Sequence, residues 1–183
     1  MNIAPEYVAV TCSLKQELSV CAAVGGYYLK MRLKIISGGQ SGVDRAALDA
    51  AMAAGVPVGG WCPRGRLAED GTIASKYPLV ETSSADYAER TRLNVRDSDA
   101  TLILCEGTIS GGTLFTRECA ESLNKPFLVV GFSAADCLQA QDWIIGRSIA
   151  VLNVAGPRAS QAEAVYERAY SLMEGLIEGL GKV

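Results

Sequence analysis

The stretch LKIISGGQSGVDRAALDAAMAA, residues 33–54, decides the fold. Leu33 to Ser37 is a short apolar run with two β-branched isoleucines, the length and composition of a buried strand. Val43 to Ala54 is rich in alanine, the best helix former, and Gly55 followed by Pro57 supplies its stop signal. Between them lies a turn containing Gly38, Gly39 and Gly42. Strand, glycine-rich turn and helix in immediate succession are the opening of an α/β unit.

The same alternation continues downstream. Residues 59–78 read as a long polar loop, and the next helix is expected from Ser83 to about Arg96. Thr101 to Cys105 reads as a buried strand, a helix begins at Gly111 or Gly112, and Phe127 to Val130 is a strand after the Lys125-Pro126 break. Ala134 to Gly146 reads as a helix and Ile149 to Val154 as a strand. The last helix is expected from about Gln161 to Leu180, its Val165, Ala169, Leu172, Leu176 and Leu180 recurring at helical spacing. The fold class that follows is α/β, three layers, with a mainly parallel central sheet and helices on both faces. Residues 1–30 lack this regularity and read as an N-terminal extension, with Met31 as an alternative start. Residues 31–183 read as one domain, and the 49% apolar content of the 183-residue chain is ample for one packed core.

Composition excludes several kinds of chemistry. The chain has no histidine, so no Ser-His-Asp triad, Cys-His dyad or HExxH zinc site can be built within it. Its six cysteines are scattered without a CxxC pair, which suits reduced thiols in the cytoplasm, and no protein-ligated metal is expected. A net charge of −3 without a basic run argues against a nucleic-acid polymer as partner. No apolar stretch approaches the ~18 residues of a membrane span.

In a parallel sheet, ligands bind beyond the carboxyl ends of the strands. Three glycine-rich connections leave predicted strands: Ser37 to Asp44, Glu106 to Thr113, and Asn153 to Arg158. Glycine admits close backbone approach to an anion, and unpaired amides at a helix start point toward it. Ser41 and Asp44 also have the spacing of a helix-capping pair, which the reading favours for Asp44, and Ser83 with Asp86 repeats it. In the long loop, Arg64 and Arg66 have the chemistry to grip a phosphate, and Trp61 offers a face to a planar ring. Tyr87, Arg90, Thr91 and Asn94 share one polar side of the following helix.

Taken in order, Ile36 to Asp49, Gly59 to Gly71, Tyr87 to Val95, Ser98 to Ile103 and Leu152 to Arg158 resemble the putative molybdenum carrier family. The resemblance covers about residue 32 to the C-terminus. It implies a Rossmann-like fold shared with the Lonely Guy and lysine decarboxylase-like proteins, and assembly as a homo-dimer or homo-tetramer. It also implies binding of a phosphorylated planar heterocycle, either molybdenum cofactor (molybdopterin) or a nucleotide. The alternative is a phosphoribohydrolase that cleaves the N-glycosidic bond of a nucleoside 5′-monophosphate. In the Lonely Guy motif PGGxGTxxE, alignment on Gly112-Thr113 puts Thr116 at the glutamate position, and Glu118 lies two residues further on. Glu69, Asp70 or Glu81 are the candidate substitutes.

The expected ligand-binding set is therefore Gly38, Gly39, Gln40, Ser41, Asp44, Arg45, Trp61, Arg64, Arg66, Arg90, Asn94, Gly111, Gly112, Thr113 and Arg158. Arg64, Arg66 and Arg90 are assigned to charge neutralisation.

Overall fold

The structure, a computed structural model, describes residues 33–181 and the backbone of Val20–Val24 (β1) and Tyr27–Met31 (β2), which pair as an antiparallel hairpin. The side chains of residues 1–32 lie outside this description, and with them Cys12, Cys21 and the question of a start at Met31.

The central sheet contains β3 (Lys34–Ile36), β4 (Val58–Gly59), β9 (Ala100–Leu104), β10 (Phe127–Val130) and β11 (Val151–Ala155). Its order is β10-β9-β11-β3-β4, and every pairing is parallel. The chain lays down β3, steps outward to β4, crosses to β9 and β10, and returns to insert β11 between the two halves. Helices α1 (Val43–Ala53), α4 (Ala134–Gly146) and α5 (Val165–Leu180) share the main core with Ile35, Leu102, Leu104, Leu152 and Val154. Helices α2 (Tyr87–Arg96) and α3 (Gly111–Ser122) meet through Val95, Cys119 and Ala120, with Phe115 and Phe127 packed against them. Leu128 and Val130 join the main core while Phe127 joins the other cluster, so adjacent residues of β10 serve opposite faces, as strand geometry requires. The fold is the expected three-layer Rossmann-like arrangement.

Most expected elements are present within a few residues, and the differences have identifiable causes. Helix α2 starts at Tyr87 because Asp86 is its cap, accepting from the Ala88 amide at 2.9 Å. The hydroxyl of Ser83 goes instead to Glu89. Helix α5 starts at Val165, after a single 3-10 turn at Ala159–Gln161. The segment read as a loop over residues 59–78 carries short strands, β5 (Trp61–Cys62) pairing with β8 (Val80–Glu81) and β6 (Leu67–Ala68) with β7 (Gly71–Thr72).

Arg66 holds this loop together. Its guanidinium donates to the carbonyls of Ile73, Ala74, Tyr77 and Leu79 at 2.9–3.2 Å, while its backbone sits at φ 53°. Ile73, Tyr77 and Leu79, together with Leu48 and Cys62, form a small core beneath it. Replacing Arg66 with Ala is expected to strand several carbonyls and destabilise the protein by about 1–3 kcal/mol. Lysine should restore little of this, lacking the planar fork. Urea denaturation of both variants checks the effect, and wild-type stability in Arg66→Ala would contradict the role.

Candidate functional site

The three glycine-rich turns leave β3, β11 and β9, which are neighbours at the centre of the sheet. They converge at the carboxyl rim on a cavity of about 180 Å3, lined by residues of all three turns and of α2. Two glycines permit the convergence. A Cβ on Gly42, which has φ 78°, would lie 2.5 Å from the Pro157 carbonyl oxygen, and one on Gly156 would collide with the Leu104 carbonyl and the Val43 side chain.

Helix α3 brings its N-terminus to the cavity through Gly111, Gly112 and Thr113. No side chain caps it, and no acid lies in its first turn. Its first intrahelical bond runs from the Leu114 amide to the Ser110 carbonyl, so the three preceding amides stand ahead of the helical ladder. The start of α1 differs. There the Val43 amide is given to the Pro157 carbonyl at 3.2 Å, the Ser41 amide to Gln40 Oε1 at 3.1 Å, and the Gln40 amide to Asp44 Oδ2 at 3.3 Å.

Asp44 is therefore not a helix cap, contrary to the reading of Ser41 and Asp44 as a capping pair. The cap position is Gly42, and the Ser41 hydroxyl is bonded to Glu69. Glycine at 42 lets the turn fold tightly enough to carry the Asp44 side chain into the cavity wall. There its Oδ2 also accepts from Arg90 Nη1 at 3.3 Å, and its side chain is 5% exposed. Burial pushes the Asp44 carboxyl above the ordinary value. Arg90, the Gln40 amide, Ser37 and Arg158 act in the opposite direction without overcoming it.

Two residues that line the cavity each carry a buried donor without a protein acceptor: Gln40 Nε2 and Arg90 Nε. Gln40 is 3% exposed, and its Oε1 is held by the amides of Ser41 and Glu69, which fixes the direction of its nitrogen. Arg158, on the turn after β11, lies with its guanidinium carbon 5.0 Å from the centre of the Tyr87 ring.

Of the expected set, Gln40, Asp44, Arg90, Gly111, Gly112, Thr113 and Arg158 line the cavity. The others lie elsewhere. Gly38 is beneath the Arg90 guanidinium, where any Cβ would clash, and Gly39 packs on Leu79 and Ile73. Ser41 is tied to Glu69, and Arg45 to Asp70 and the Gly39 carbonyl. Asn94 bonds both backbone groups of Trp61 at 2.8 and 2.9 Å, and Trp61 Nε1 donates to Asp97. Arg64 is exposed away from the cavity, and Arg66 is consumed within its loop. Of the three arginines expected to neutralise ligand charge, Arg90 lines the cavity and Arg64 and Arg66 do not, and Arg158 lines it as well. Lining residues absent from the expected set are Tyr87, Ala88, Thr91, Phe115, Thr116, Ala155, Gly156 and Gln161. Tyr87 and Thr91 carried a sequence signal as part of the polar side of α2. Thr116 and Gln161 follow Thr113 and Arg158 by three residues, a spacing that only a known helical path makes meaningful.

Among the lining residues Asp44 is the one carboxylate. Glu69 is bonded to Ser41 and Ser160, Asp70 to Arg45, Glu81 to the Gly65 amide at 2.6 Å, and Glu118 is exposed. The hydroxyls of Ser160 and Ser41 hold Glu69 below the ordinary carboxylate value. Glu69 and Asp44 therefore act in opposite senses on stability. The contribution of Glu69 is present above its unfolded pKa and is lost as pH falls through the folded value. Asp44, whose folded pKa is raised, favours the folded state at low pH and loses that advantage as pH rises from its unfolded value, near 3.8, to its folded one. The stability of the wild type minus that of Asp44→Asn is thus expected to fall over that interval and then level off. Urea titrations of both proteins across the acid range measure it, and a pH-independent difference would refute the burial argument.

Comparison with known proteins agrees with this architecture. Residues 35–177 match the Circularly permutated YpsA SLOG family. A crystal structure of a putative molybdenum carrier protein from Syntrophus aciditrophicus SB is 43% identical, with a TM-score of 0.75, covering 80% of this chain and 95% of that one. No match was found among curated proteins.

Proposed function

Because the chain belongs to the Circularly permutated YpsA SLOG family, we propose that its sheet-rim cavity binds a small phosphorylated molecule bearing a planar heterocycle, either molybdenum cofactor (molybdopterin) or a nucleotide. The observation that carries the reading is the convergence of donors without acceptors. Three amides of α3 precede its ladder, and two residues that line the same cavity, Gln40 and Arg90, each keep a buried nitrogen without a partner. Unpaired buried donors are costly, and an acceptor-rich anion relieves that cost. The N-terminus of α3 suits phosphate both by its free amides and by its dipole, and Arg158 adds a full charge. The structural relative's name, molybdenum carrier, favours the cofactor as one of the two ligand classes.

The residues fit the phosphate of such a cofactor but offer its metal nothing. No cysteine lines the cavity, the chain has no histidine, and no cluster of metal-ligating side chains occurs among the described residues. Bound molybdopterin would keep its molybdenum on its own dithiolene sulfurs, with the protein gripping the organic part.

Replacing Arg158 with Ala is expected to weaken binding of a nucleoside monophosphate by about 1–3 kcal/mol, roughly five- to 150-fold, whereas Arg64→Ala should leave it unchanged. Isothermal calorimetry of the two variants tests this, and equal losses would remove the cavity from the reading. Mass spectrometry of small molecules that co-purify with the protein identifies the heterocycle. The hydrolase alternative has one supporting observation, the buried carboxyl of Asp44 on the cavity wall; Thr116, whose hydroxyl bonds the Gly112 carbonyl at 2.9 Å, stands where that motif has glutamate. Incubation with nucleoside monophosphates separates the two readings, since only cleavage releases free base.

A further inference from the structure

Helices α4 and α5 pack against each other and leave between them a groove of about 430 Å3, lined chiefly by Phe132, Cys137, Leu138, Gln141, Leu172 and Gly175. We propose that this groove docks an amphipathic helix of a different polypeptide, one that presents an apolar face flanked by lysine or arginine. None of the groove's lining residues lines the sheet-rim cavity, so the inference stands apart from the ligand reading.

Leu138 is 61% exposed, the most open of the large apolar side chains among the described residues, while Ala140 and Ile144 of the same helix are buried in the core. Gly175 adds a second sign that something covers this face. Glycine weakens a helix interior relative to alanine, yet a Cβ here would meet nothing closer than Cys137 Sγ at 3.6 Å, an ordinary contact. Gly179, one turn further on, differs. Gln141 lies where its Cβ would be and donates to the Gly175 carbonyl at 3.0 Å. Internal packing thus accounts for Gly179 but not for Gly175, where the missing side chain leaves the groove open to a neighbour.

Charge selects the occupant. The two helices carry Asp136, Asp142, Glu167, Glu174 and Glu178, and their one base, Arg168, is bonded to Glu106 and lies over the Phe132 ring at 4.6 Å. Glu167, Ser171, Glu174 and Glu178 follow one another along the exposed side of α5, and Asp142 is exposed one turn beyond Leu138 on α4. An apolar floor between acidic rims suits a helix laid lengthwise, with its apolar anchors in the groove and its cations over the carboxylates. A second copy of this face would bring glutamates against glutamates, and an anionic lipid surface would be repelled in the same way.

The test is fluorescence anisotropy of the full chain with a labelled leucine-lysine amphipathic peptide of about 18 residues, long enough to be helical, at physiological salt. Two further peptides are controls, one with glutamate in place of lysine and one with the same composition scrambled so that no apolar face forms. The leucine-lysine helix is expected to bind about tenfold more tightly than either, and Leu138→Gln, Gly175→Leu and Glu174→Lys each to weaken it about tenfold. Leu138 and Glu174 are exposed, so their replacement leaves the core untouched. Leu123→Gln, at an exposed apolar position where α3 ends, should bind as the wild type does. Equal affinity of the wild type and Leu138→Gln, or a glutamate peptide that binds as tightly as the lysine one, would overturn the proposal. So would sedimentation showing that the free chain self-associates and that Leu138→Gln and Glu174→Lys both dissociate it, since the occupant would then be a second copy.

Discussion

The Val43 amide donates to the Pro157 carbonyl across 3.2 Å, at a point where Gly42 and Gly156 leave no room for a Cβ. This contact between the turns after β3 and β11 is the constraint on which the cavity depends. It sets the start of α1, and hence Asp44, against the turn that carries Arg158. The long loop then clasps both turns from outside, because Glu69 accepts from Ser41 on one and from Ser160 beyond the other. A side chain at either glycine would part these turns and open the wall of the cavity.

Within that frame the charges divide into those satisfied internally and those left over. Arg45, Arg66 and Glu69 are bonded to backbone or oppositely charged partners, and they hold the long loop in place. Arg90 is bonded only in part. Its Nη1 reaches Asp44, while its Nε is buried without an acceptor. The burial that raises the Asp44 pKa and the orphaned nitrogen of Arg90 have one cause, removal of both groups from water beside a cavity that does not fully satisfy them. Arg45 and Arg66 are thus satisfied within the protein, whereas Arg90, which lines the cavity, keeps one buried nitrogen without an acceptor.

The resemblance drawn from the motifs and the family match over residues 35–177 agree on the kind of protein this is. The site was only partly legible beforehand. Arg64, Arg66 and Trp61 looked like ligand-gripping residues because a long loop with two arginines and an indole is chemically capable of it. Capability along the chain carries no information about direction. The four carbonyls that take up Arg66 come from residues 73 to 79, and their inward turn depends on the packing of Ile73, Tyr77 and Leu79 against Leu48.

What the sequence by itself determined was local: the strands, the helices, the glycine-rich exits between them, and the parallel α/β class that their alternation imposes. These follow from apolar periodicity and backbone preference, which act over a few residues. Only the tertiary structure decided that the three exits are neighbours, because the strand order β10-β9-β11-β3-β4 places the last strand of the chain between the first and the third of its central partners. It likewise decided that Asp44 faces a cavity instead of capping a helix. That outcome depends on Pro157, more than a hundred residues away, taking the amide at the helix start, and short-range spacing does not encode a contact of that length.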